Sequence, residues 1–73
     1  MSVFTEYLQQ LAGYSEKVDT GAFTHDDFIE YQRIEPRIVK AYKDGRFHDR
    51  EYRALIAVYQ YVKEGARIIL GLD

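Results

Sequence analysis

The sequence predicts an all-α domain, a small three-helix bundle. Three observations predict it. Apolar residues recur three and four apart through three long segments. Two similar turn sequences separate those segments. No segment shows the strict alternation of a half-buried strand.

The first helix reads from Val3 to about Lys17. Phe4, Tyr7, Leu8, Leu11, Ala12 and Tyr14 share one face. Ser2 is its expected N-cap. Gly13 lies inside it, at a cost of about 1 kcal/mol relative to Ala.

The next two helices start with the same device. Gly21-Ala22-Phe23-Thr24-His25-Asp26-Asp27-Phe28 aligns with Gly45-Arg46-Phe47-His48-Asp49-Arg50-Glu51-Tyr52. Each copy reads Gly, any residue, Phe, cap, two polar residues, acid, aromatic. Gly ends the preceding helix in a left-handed conformation. Phe before the cap and an aromatic at the fourth helical position form a hydrophobic staple. Thr24 is a good cap with Asp27 as its capping-box partner. His48 is a weaker cap, and Asp49 is expected to take over from it. Acids in both first turns suit the helix dipole.

The second helix is expected over 24–43, with Phe28, Tyr31, Ile34, Ile38 and Tyr42 as its stripe. Pro36 interrupts it. Either the helix kinks near Gln32–Glu35, or it ends there and a short one begins at Pro36; the stripe stays in phase across the proline, which favours the kink. The third helix is expected over 48–70. Its core stripe is Tyr52, Leu55, Ile56, Tyr59, Val62, Ala66 and Ile69, and Ala54, Ala57, Val58, Tyr61 and Ile68 put apolar groups on its other faces. Two neighbouring helices cannot cover all of that surface. Val58, Tyr61, Ile68 and Leu72 are therefore the candidate contact residues for a partner or a second copy.

Length sets the energetic frame. Seventy-three residues make one domain, 1–73, and bury only about 60% of the unfolded surface. There is no Cys, so no disulfide and no thiolate zinc site compensates. Good packing or self-association remains, and a homodimer is the expected closed form. At 47% hydrophobic residues the chain is globular, not disordered. No signal peptide is expected, because Met1–Ala12 has no basic n-region. No apolar run approaches the roughly 20 residues of a membrane span. A cytoplasmic protein without a membrane role is the expectation.

The net charge of −2 hides an asymmetry. Residues 1–32 carry six acids and one base, and residues 33–67 carry nine bases and five acids. Such a dipolar chain can orient a partner or a second copy. Arg33, Arg37 and Lys40 fall on one helix face, and Arg46, Arg50 and Arg53 gather at the second turn. A basic face beside a helix-turn-helix outline makes nucleic acid the alternative partner. The apolar third helix, the acidic balance and the interspersed Glu35, Asp49 and Glu51 weigh against it.

Other chemistries find little footing. Asp44-Gly45-Arg46-Phe47 with Glu51 resembles the back half of an EF-hand loop, in turn chemistry only. Lys40 and Tyr42 occupy positions where that loop needs oxygen ligands. His25 and His48 lie in separate turns, so no metal site is expected. Ser2 and Ser15 sit in no nucleophile-elbow context, and Asp26 and Asp27 are adjacent and diverge on a helix. No catalytic residue, cofactor or small-molecule substrate is expected. A small protein-interaction module, regulatory or adaptor in type, is the leading expectation. A structural subunit of a larger assembly is the third.

Overall fold

A computed structural model describes residues 2–72. Among them there are four helices and no strand: α1 (Val3–Asp19), α2 (His25–Gln32), α3 (Ile34–Lys43) and α4 (Asp49–Leu70). The chain is an all-α bundle of three arms, with α2 and α3 together forming the middle arm.

Each arm ends in the same way. Gly21, Gly45 and Gly71 have φ of 73°, 76° and 70°. At the first turn the Gly21 and Ala22 N–H groups donate to the Val18 and Lys17 carbonyls (3.1 and 2.8 Å). At the second, Gly45 and Arg46 donate to Tyr42 and Ala41 (3.0 and 3.0 Å). These bonds satisfy carbonyls that a helix end leaves without partners.

The helix starts differ in detail. Ser2 Oγ accepts from the Thr5 N–H (3.1 Å). Thr24 and Asp27 exchange reciprocal side-chain bonds (3.1 and 3.0 Å). At α4, Glu51 accepts from the His48 N–H (2.9 Å). Asp49 does not take over the cap. It accepts from the Tyr42 hydroxyl (2.9 Å) and pairs with Arg53 (3.0 Å). The aromatic pairs differ too. Phe23 meets Phe28 edge-on at 6.4 Å, whereas Tyr42 lies between Phe47 and Tyr52, stacked on both.

The expected kink at Pro36 is replaced by a division at Arg33. The Arg33 N–H turns back to the Glu30 carbonyl (3.2 Å), a tighter step than an α-helical bond. The division moves Pro36 into the first turn of α3, where backbone N–H groups have no intrahelical partner. A missing N–H then costs little.

The core draws on every arm. Leu11, Tyr31, Ile38, Leu55 and Val62 are fully buried, and Phe23 and Phe47 are buried beside them. Val18 lies against Gly65, and the Tyr61 hydroxyl donates to Asp19 (2.7 Å). The end of α1 therefore meets α4 near residues 61–65. The start of α1 shares a groove with the end of α3 and the second turn. Hence α1 and α4 run parallel, the middle arm runs against both, and α1 with α4 is the most extensive helix pair.

Tyr31 is fully buried, so its phenol lies in the interior. Its ring stacks on Tyr59 at 4.4 Å, and its hydroxyl donates to the Tyr59 carbonyl. Burial holds the Tyr31 phenol above its ordinary pKa. A raised pKa means that its contribution is complete below about pH 10, the unfolded value, and is lost as pH rises beyond it. Tyr31→Phe should cost about 1 kcal/mol at neutral pH through the lost hydrogen bond. The deficit should shrink above about pH 10, where only the parent chain loses the Tyr31 contribution. Denaturant titrations at neutral and alkaline pH measure both.

Candidate interaction site

Apolar surface gathers at the far end of α4. Ile68 is 79% exposed, Tyr61 54% and Ile69 38%, and Leu72 is half-buried beside them. The cause is helix face. Ala57, Tyr61, Glu64 and Ile68 follow one another at spacings of four and three along one side of α4, and all four are exposed. Leu72 follows just past the end of that helix.

Val58 does not belong with this group. It is half-buried and packs against the core, ten residues before Ile68. Tyr61 stands at the border, tied by its hydroxyl to α1, and that bond to Asp19 raises its pKa. Ile29 on α2 is a separate exposed apolar residue, 51% accessible.

Acids frame the apolar end. Glu64 and Arg67 lie with Ile68 and Leu72 around a shallow depression. Asp19 holds Tyr61, and Asp26 and Asp27 occupy the first turn of α2. Lys17 and Asp27 form an ion pair at 2.8 Å. Their hydrogen bond raises the lysine and lowers the carboxyl. Arg67 also lies here, its Nε turned to the Leu72 carbonyl at 3.5 Å.

Three bases collect at the opposite end. Arg37 and Lys40 from α3 and Arg46 from the second turn line an open groove of about 300 Å³. Val3, Tyr7 and Ala41 supply its apolar part, and Glu6 and Asp44 also border it. Among the described residues none of these five charged groups makes an ion pair. Arg33 stands apart, 3.6 Å from Glu30 one helical turn earlier. The structure thus joins Arg37 and Lys40 to Arg46 rather than to Arg33. The sequence could not show this, because α1 supplies the facing wall.

His25 and His48 fall in turns at opposite ends of the bundle. Among the described residues no three His, Cys, Asp or Glu side chains are grouped to hold a metal ion. Among the same residues no helix is long and apolar enough to cross a membrane. Comparison with family models, with curated proteins and with solved structures returns no match, so the geometry of this chain carries the functional reading alone.

Proposed function

We propose that this chain is a small non-enzymatic protein-interaction module, regulatory or adaptor in type, acting through the far end of α4. The observation that carries the reading is Ile68. A residue of this type left 79% exposed, with Tyr61 and Leu72 nearby, is apolar surface that a binding partner would cover. Charged residues around it supply the polar rim that interfaces keep in contact with water.

Affinity capture from a native extract, with the parent chain and Ile68→Asp side by side, tests it. The variant should fold normally, because the side chain packs on nothing that the core needs. It should lose the proteins that the parent retains. Equal retention by both would reject the α4 end as the contact surface.

The basic groove supports the second reading, nucleic-acid binding through Arg37 and Lys40. A duplex shift assay across a salt series decides it, since phosphate contacts weaken steeply as salt rises.

A further inference from the structure

We draw no further inference here: the strongest candidate, the apolar face of α4 on which Tyr61 and Ile68 stay exposed, is bordered by both Glu64 and Arg67, and nothing in the structure shows what covers it.

Discussion

Phe47→Ala should lower stability by about 2–4 kcal/mol, within the range for large-to-small changes in a core. Phe47 is only 7% exposed, and Tyr42 stacks against its ring. Tyr42 also stacks on Tyr52 at 4.2 Å and donates to Asp49. One deletion therefore loosens the end of α3, the second turn and the start of α4 together. Stability is about 0.05–0.15 kcal/mol per residue in ordinary domains, so a loss of this size takes a large share of the total. Thermal and urea unfolding measure it. An unchanged melting temperature would mean that the ring fills no space the core needs.

Gly65→Val should be comparably harmful, by about 3 kcal/mol, the upper part of the range for overpacking. A Cβ built at Gly65 would fall 2.2 Å from Val18 Cγ1. Val18 is β-branched and held to one rotamer in a helix, so it cannot swing aside. The two helices must separate, and they form the largest helix pair of the fold. Gly13 is the internal control. A Cβ there meets nothing within 4 Å. Gly13→Ala should therefore stabilise by up to about 1 kcal/mol through helix propensity alone. Opposite shifts from two helical glycines, read in one set of melts, would separate close packing from backbone entropy.

These two glycines show what the sequence could and could not disclose. Periodicity placed the apolar stripes, which supply most of the core; Ile69 of the third stripe is exposed instead, and Phe23 and Phe47 enter the core from the turns. Tyr31 stood in the stripe of the middle arm, but periodicity does not reveal that a Tyr hydroxyl will find a carbonyl on another helix. Gly65 passed without notice, because the closeness of two helix axes is set by pairs of residues far apart in the chain. Val58 and Ile68 looked alike in the sequence, both apolar and off the main stripe. They part because Ile68 continues the exposed face of Ala57, Tyr61 and Glu64, whereas Val58 is turned toward the core. Pro36 signalled trouble in the middle arm. Periodicity in phase across it favoured a bend near Gln32–Glu35, whereas the backbone divides into two helices within that stretch, at Arg33. The groove was half visible, as two bases on one helix face. Its other wall comes from the first helix.

The parallel pairing of α1 with α4 has a consequence for how the chain finds its fold. Neighbouring arms can meet early, since each turn brings its two helices together over a short loop. The largest pairing comes from the two arms furthest apart in sequence. Val18 and Gly65 are separated by 47 positions, and closing such a loop costs about 3 kcal/mol by chain entropy before any constant. The first and last helices must therefore converge on a middle arm that already holds them near one another, with Tyr31 and Ile38 offering the apolar surface on which both land. Assembly of this domain should be slowed most by changes to the arm that contributes least to the final largest contact.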